Sequence, residues 1–114
     1  MNGIDIKNDF DSIFLAEAGE NFDHLRNNTK LGSLRGIREA RFIQCSSDED
    51  IQVGDMLVSA ASGEYFHVTK ISYEIIDDIK TSIQAYFFYV DAVIYHFLSS
   101  LWLHSWRIQS CWMV

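Results

Sequence analysis

The stretch that most constrains the fold of this chain is residues 46–75, SSDEDIQVGDMLVSAASGEYFHVTKISYEI. An acidic loop leads into an apolar segment, a tight turn follows at residues 61–63, and a second segment is rich in aromatic and β-branched residues, as strands are. Gly54-Asp55 inside the first segment predicts a turn or bulge, because small sheets bend toward closure at such points. The stretch therefore predicts a β-hairpin with the curvature of a barrel.

The segments on either side extend this sheet. Residues 21–45, NFDHLRNNTKLGSLRGIREARFIQC, place the turn formers Asn27-Asn28 and Gly32 between two stretches that can pair as strands. Residues 77–80, DDIK, make the next connection, and residues 81–90, TSIQAYFFYV, give a further strand candidate. We expect several short antiparallel strands joined by tight turns.

Residues 8–18, NDFDSIFLAEA, carry a helical pattern. Acids stand early in this segment, where the helix dipole favours them, and Asn8 or Asp9 is a candidate cap with Gly19 placed to end the helix. The apolar residues at helical spacing on one face are Phe10, Ile13, Phe14 and Ala18. We expect a short amphipathic helix that covers one end of the sheet.

These elements predict a mainly β fold with one or two helices (α+β). The expected form is a small barrel or rolled antiparallel sheet with a short N-terminal helix and an apolar C-terminal helix or strand. A chain of 114 residues has room for one core. Residues 1–90 are therefore expected to form a small β-rich domain, and residues 91–114 an aromatic-rich segment packed on it or on a partner.

Charge and cysteine content limit the function classes. The net charge of −7 disfavours a general nucleic-acid binder, because such binding depends on clustered Lys and Arg. The first twelve residues, MNGIDIKNDFDS, are polar and acidic rather than a signal peptide, so we expect a reducing, cytoplasmic setting and no secretion. Cys45 and Cys111 are then expected to be free thiols, although their proximity in space would decide whether they pair.

The sequence contains none of the common catalytic motifs. Gly-x-Ser-x-Gly, the phosphate-binding glycine loops and the close His or Cys pairs of zinc sites are all missing. The acids of SSDED with Asp55 suggest a cation site, but their spacing does not match the calcium loop, and a metal-dependent nuclease using Lys70 ranks low. We expect no catalytic residues, no metal and no cofactor.

Three arginines recur at every third position: Arg35, Arg38 and Arg41. On a helix they would form one basic stripe, whereas on a strand Arg35 and Arg41 would share one face and Arg38 would lie on the other. They are candidates for contact with an anion. Ion pairing with neighbouring acids is the favoured alternative.

The C-terminal segment, YHFLSSLWLHSWRIQSCWMV, admits three interpretations. Residues 85–106 are long and apolar enough to suggest a membrane segment, yet Asp91 and two histidines disfavour insertion. Residues 91–108 can instead form a weakly amphipathic helix that docks on the domain or on a neighbour, and the third interpretation is a non-native extension. The expected partner contacts are Tyr95, Trp102, Trp106 and Trp112.

Residues 8–86 resemble short proteins encoded by prophages and related mobile elements. The resemblance rests on DFDSIFLAEAGE as an opening helix, a basic strand pair, and IQVGDMLVSAASGEYFHVTKI as a hairpin. Similar hairpins occur in phage head–tail joining and tail-attachment proteins, which are small β-barrels that assemble into rings. The resemblance implies an assembly role without catalytic residues, in the bacterial cytoplasm or in a virion. It does not extend to the twenty-seven residues after Phe87.

The leading hypothesis is therefore a non-catalytic assembly or interaction module, a phage- or prophage-type structural component that associates with itself or with a protein partner. Two alternatives remain at this stage. One is a membrane-associated protein acting through residues 85–106. The other is a small-barrel nucleic-acid binder that uses the three arginines and exposed aromatic residues such as Tyr65 and Phe66.

Overall fold

A helix opens the chain and six antiparallel strands follow it. A computed structural model of the protein describes residues 2–91. The helix consists of α1 (Gly3–Asp9), a π-helical turn (Phe10–Phe14) and α2 (Leu15–Ala18). The strands are β1 (Glu20–Arg26), β2 (Thr29–Arg38), β3 (Phe42–Ser46), β4 (Met56–Ser59), β5 (Tyr65–Ile76) and β6 (Ile79–Val90).

The strands close into a barrel in the order β1-β2-β3-β6-β5-β4, with β1 paired to β4. The predicted fold class, a small β-barrel with an N-terminal helix, is confirmed. The expected C-terminal helix or strand falls on residues 92–114, outside the described residues. The strand arrangement of residues 2–91 thus gives a closed sheet with one face turned inward to a core.

Tight turns set the register of this sheet. Asn27-Asn28 and Asp77-Asp78 each adopt positive φ at both positions, as a two-residue hairpin turn with the twist of its strands requires. The predicted hairpin of residues 46–75 forms, with Val58 opposite Tyr65 at its turn. The expectation that Gly32 is a turn residue is wrong. It lies within β2 opposite His24, beside a bulge at Leu31 of the same strand.

The core fills the barrel with large apolar side chains. Phe66 packs edge-to-face on Phe22 and on Phe87, at ring distances of 5.8 and 4.8 Å. Gly36 faces the same interior, and a Cβ atom there would lie 2.5 Å from the Ile43 Cγ2 atom. The fully buried apolar residues of this cluster are Phe22, Ile43, Cys45, Leu57, Phe66, Val68, Ile83 and Ala85.

The helix differs from its predicted form in start and in buried face. It begins at Gly3 rather than near Asn8, and the Asn2 side chain caps it by accepting a hydrogen bond from the Asp5 N–H at 2.9 Å. Phe10 and Leu15 are its buried apolar residues. They stand five positions apart, which a π turn brings onto one face.

The predicted burial of Ile13 and Phe14 is therefore wrong. These side chains are 47% and 57% exposed, because the wider turn rotates them away from the barrel. The helix bridges the two neighbours of the short strand β3: α1 contacts β6, and α2 contacts β2. Lys7 connects the helix to the loop after β3, because its Nζ atom donates a 2.8 Å hydrogen bond to the Asp48 carboxylate.

Candidate functional site

A polar cluster lies at the end of the barrel where β1 finishes and β4 begins. His24 and Arg26 stand two residues apart on β1, and Asp55 precedes β4, so the pairing of these strands brings them together. Asp55 is 1% exposed. It accepts hydrogen bonds from His24 Nε2 at 2.6 Å, from Arg26 Nε and Nη2 at 2.9 and 3.0 Å, and from the Gln52 N–H at 2.9 Å.

These four bonds determine the charge state of Asp55. Burial alone would raise the pKa of this carboxyl, but the bonds from Arg26 and His24 outweigh burial and hold the pKa below its ordinary value. Asp55 is thus an ionised carboxylate that ties β1 to the segment before β4. The sequence placed Asp55 in a possible cation site, and its oxygens are instead occupied by Arg26, His24 and a backbone amide.

The His24-Asp55 pair has the form of a catalytic dyad but lacks a nucleophile within the described residues. His24 lines a cleft of about 250 Å³ together with Ser33 and Glu49. The Ser33 hydroxyl donates to Asp23 at 3.3 Å and is not bonded to His24. An acyl-transfer site needs the hydroxyl aligned with the imidazole, so the arrangement favours a structural role for this pair.

A second polar cluster lies at the opposite end of β1. Arg38, on the inner face of β2, donates to Glu64 at 2.6 Å and to Glu20 at 2.8 Å. Its guanidinium carbon lies 4.7 Å from the centre of the Phe66 ring, and the Ser59 hydroxyl donates to Glu20 at 2.7 Å. This cluster closes the barrel over the aromatic core.

Charge pairing shifts both members of the Arg38–Glu64 contact in the direction that favours their ions. Burial opposes the charge on Arg38, yet the carboxylates of Glu64 and Glu20 raise the pKa of its guanidinium. The hydrogen bond from Arg38 lowers the pKa of Glu64. The Arg38 charge is therefore paired with the protein's own acids through Nη1 and Nη2, while its Nε is buried without a hydrogen-bond partner.

The other two candidate arginines do not join Arg38. Arg35 points outward from β2 and donates to the carbonyl groups of Leu15, Ala16 and Gly19, at 2.9, 3.3 and 2.6 Å, where the helix ends. A cation bonded to the last carbonyls of a helix is a favourable cap. Arg41 follows the end of β2 and is exposed. The structure thus separates the three arginines instead of forming one basic patch.

The acids of residues 48–55 are likewise dispersed. Asp48 bonds to Lys7, while Asp50 lies 3.4 Å from Arg26. Among residues 2–91, no group of three or more His, Cys, Asp or Glu side chains is arranged to hold a metal ion. Lys70 lies on β5 with its amino group 5.1 Å from the centre of the Tyr86 ring and is not bonded to these acids.

Cys45 is a packing residue. It is a free, fully buried thiol on β3, and burial raises its pKa to about 12. A thiolate nucleophile needs a lowered pKa and access to a substrate, and Cys45 has neither. Cys111 lies outside the described residues.

Large apolar side chains are exposed on several parts of the surface, including Leu31 on β2 and Val53 before β4. Ile13 and Phe14 lie on the helix, Tyr73 and Ile75 on β5, and Phe88 and Tyr89 near the end of β6. At this last position a cleft of about 390 Å³ lies between the β4–β5 turn and residues 89–91. The expected partner contacts Tyr95, Trp102, Trp106 and Trp112 lie outside the described residues.

Membrane insertion was the alternative interpretation for residues 85–106. Residues 85–90 form the last part of β6, and the remainder of that segment is not described. Within residues 2–91, no helix has the length and apolar character that crossing a bilayer requires.

Comparison of the chain with protein-family models, with curated proteins and with solved structures found no match.

Proposed function

We propose that this protein is a non-catalytic assembly module, a structural component of a phage or prophage that functions through contacts with copies of itself or with another protein. The observation that carries the proposal is the exposed apolar surface of the barrel. Phe88 and Tyr89 are 52% and 57% exposed, and Tyr89 lines the cleft beside the start of the aromatic C-terminal segment. Aromatic side chains of this kind dominate the energetics of protein interfaces.

The polar clusters support the same proposal. Their ionisable groups are bonded to one another across strands, as in the Asp55 and Arg38 clusters, and this bonding fixes the barrel ends. Arg35 and Arg38 are occupied by carbonyl groups and carboxylates, which disfavours the nucleic-acid alternative, because phosphate binding needs free cations. A closed barrel with paired charges and exposed aromatic residues suits an assembly role.

Light scattering coupled to size-exclusion chromatography tests the proposal on the full chain and on a chain ending at Asp91. The full chain is expected to have a mass well above that of one copy, and removal of residues 92–114 is expected to lower it. Full-length Trp102→Ala/Trp106→Ala is the matched substitution and should also lower the mass. A full chain that is monomeric at high micromolar concentration, with no co-purifying protein, would contradict the proposal.

The phage assignment has its own test in the gene neighbourhood. Genes for capsid or tail proteins on either side of this gene are expected. If induction of the host element yields particles that lack this protein by mass spectrometry, its role as a virion component is wrong, whatever its oligomeric state.

A further inference from the structure

Strand β5 has a free edge along more than half of its length. Strand β4 pairs with β5 only through Tyr65, Phe66 and His67. The Val68 amide and carbonyl groups bond to Asp55 and Gly54 at 2.9 and 2.8 Å. Beyond Val68, no strand of residues 2–91 pairs with the edge of β5 that faces away from β6. A free strand edge is a template for pairing with another chain.

The regular part of this edge is residues 70–74, KISYE. Irregularities in the β5–β6 ladder lie just before it, between Val68 and Lys70, and just after it, between Glu74 and Ile75. Between them the pairing with β6 is continuous, from Lys70 opposite Tyr86 to Glu74 opposite Ser82. A regular segment of five residues is bounded by bulges on both sides.

The charges of this segment are complementary to themselves in the antiparallel direction. If two copies pair about a two-fold axis at Ser72, Lys70 of each copy lies opposite Glu74 of the other, and Ile71 lies opposite Tyr73. Unlike charges directly opposite each other stabilise a strand pair, and like charges destabilise it. Parallel pairing in register would place Lys70 opposite Lys70 and Glu74 opposite Glu74, so the sequence selects the antiparallel arrangement.

We propose that two copies of this chain form a symmetric dimer by antiparallel pairing of the residue 70–74 edges of β5. A two-fold interface uses the same surface on both copies, and this edge meets that requirement through two equivalent Lys70–Glu74 pairs and two equivalent Ile71–Tyr73 pairs. Pairing would join two barrels into one continuous sheet. The inference depends neither on the C-terminal segment nor on a phage role.

The present contacts of these side chains leave them available for a second copy. The Glu74 carboxylate accepts a long bond of 3.4 Å from the Gln44 amide, and the Lys70 amino group lies over the Tyr86 ring at 5.1 Å. Tyr73 is 38% exposed, and Ile75, just beyond the segment, is 58% exposed. Antiparallel pairing would cover this apolar surface as well as the backbone edge.

Charge reversal on the full chain tests the dimer. Lys70→Glu and Glu74→Lys each place like charges opposite one another in both pairs, and each should raise the dimer dissociation constant about tenfold or more, measured by analytical ultracentrifugation. The double variant K70E/E74K restores unlike pairs and should restore the dimer. Equal amounts of the two single variants should form a heterodimer for the same reason.

A matched control separates this effect from a change of net charge. Lys30→Glu reverses an exposed strand lysine on β2, whose amino group lies 3.3 Å from the Asp23 carboxylate. At 0.15 M salt, where repulsion between whole molecules is largely screened, it should leave the dissociation constant of the dimer unchanged, with the same circular dichroism spectrum as the parent chain. The proposal would be overturned if K30E and K70E raised the dimer dissociation constant equally. It would also be overturned if the double variant K70E/E74K formed a weaker dimer than either single variant.

Cross-linking reads the interface directly, whatever the total mass of the assembly. In a Cys111→Ser background, Ser72→Cys places two thiols opposite each other at the axis and should give a disulfide-linked dimer under mild oxidation. Gln84→Cys is the control, because its copies on β6 would stand about 14 Å apart, three strand spacings. If S72C gives no more disulfide-linked dimer than Q84C, this interface is excluded. Association through the C-terminal segment would not be affected by that result.

Discussion

At the scale of single residues, Asp55 is the carboxylate on which the closure of the barrel depends most. Its partners Arg26 and His24 belong to β1, whereas Asp55 leads into β4. Asp55→Asn removes the charge that both partners require and leaves the Arg26 guanidinium without its nearest anion. We expect the free energy of unfolding in urea at pH 7 to fall by about 2 to 4 kcal/mol.

The control for this variant is Asp48→Asn, which removes an exposed partner of Lys7. The Asp48 side chain is 75% exposed, so its loss should cost less than about 0.5 kcal/mol. Because the folded pKa of Asp55 is below its ordinary value of 3.8, its stabilisation is present above that pH and is lost as pH falls below it. The difference between parent and D55N should shrink below pH 4. A constant difference would contradict the ionic account.

The pKa of Glu49 is shifted in the opposite direction to that of Asp55. Burial is the main cause that raises the pKa of this carboxyl, and the nearby His24 opposes the rise only in part. A raised pKa means that the folded state pays a desolvation cost once pH rises through that range, so Glu49→Gln should stabilise the protein at neutral pH. We expect Tm to rise by about 1 to 4 °C at pH 7. At pH 3, where the carboxyl is protonated, the two Tm values should agree, and a lower Tm for E49Q at pH 7 would refute this account.

At the scale of elements, the π turn decides which side of the N-terminal helix packs on the barrel. Leu15 is buried and Phe14 is exposed. Leu15→Ala should therefore lower the free energy of unfolding by about 2 to 4 kcal/mol, whereas Phe14→Ala should change it by less than about 0.5 kcal/mol. Chemical denaturation of both variants measures this. The reverse order would indicate that the helix is regular and buries the face on which Phe14 lies.

The elements that sequence could predict are those fixed by local chemistry. The hairpins at Asn27-Asn28 and at Ala61-Ser62-Gly63 are predictable from sequence, because few residues accept the positive φ angles that such turns require. The helix was predicted, but its buried face was not, because helical periodicity assumes 3.6 residues per turn and a π turn breaks that period. No sequence signal indicated the π turn in advance.

The polar clusters could not be predicted for a different reason. His24 and Asp55 are 31 positions apart, and Arg38 and Glu64 are 26 apart. Their contacts exist because β1 pairs with β4 and closes the barrel, which no spacing of residues encodes. Arg35 and Arg38 lie on opposite faces of β2, as alternation along a strand predicts, but Arg41 lies beyond the strand rather than on the face of Arg35. The groups that Arg35 and Arg38 contact could not be predicted, because those groups belong to other elements.

At the scale of the whole molecule, net charge and local charge oppose each other in self-association. Each copy carries a formal charge of −7. For two small domains with centres roughly 30 Å apart, the repulsion is about 7 kcal/mol in unscreened water. Screening reduces it to about 2 to 3 kcal/mol at 0.01 M salt and to a few tenths at 0.15 M.

The proposed Lys70–Glu74 pairs respond to salt in the other direction but less strongly. Each pair contributes about 1 kcal/mol at contact in water, and raising salt over the same range weakens the two pairs together by about 0.5 kcal/mol. Repulsion between whole molecules therefore governs the salt dependence. The dimer dissociation constant should fall about tenfold between 0.01 M and 0.15 M salt.

Sedimentation equilibrium across this salt range measures the effect on the full chain. The variant Lys70→Gln/Glu74→Gln keeps the net charge of −7 but removes the local pairs, so its weaker dimer should gain more from added salt than the parent does. A parent dimer that weakens between 0.01 M and 0.15 M salt would mean that contacts between unlike charges outweigh the repulsion of the whole molecules. The interface would then have to include many more ion pairs than the β5 edge provides.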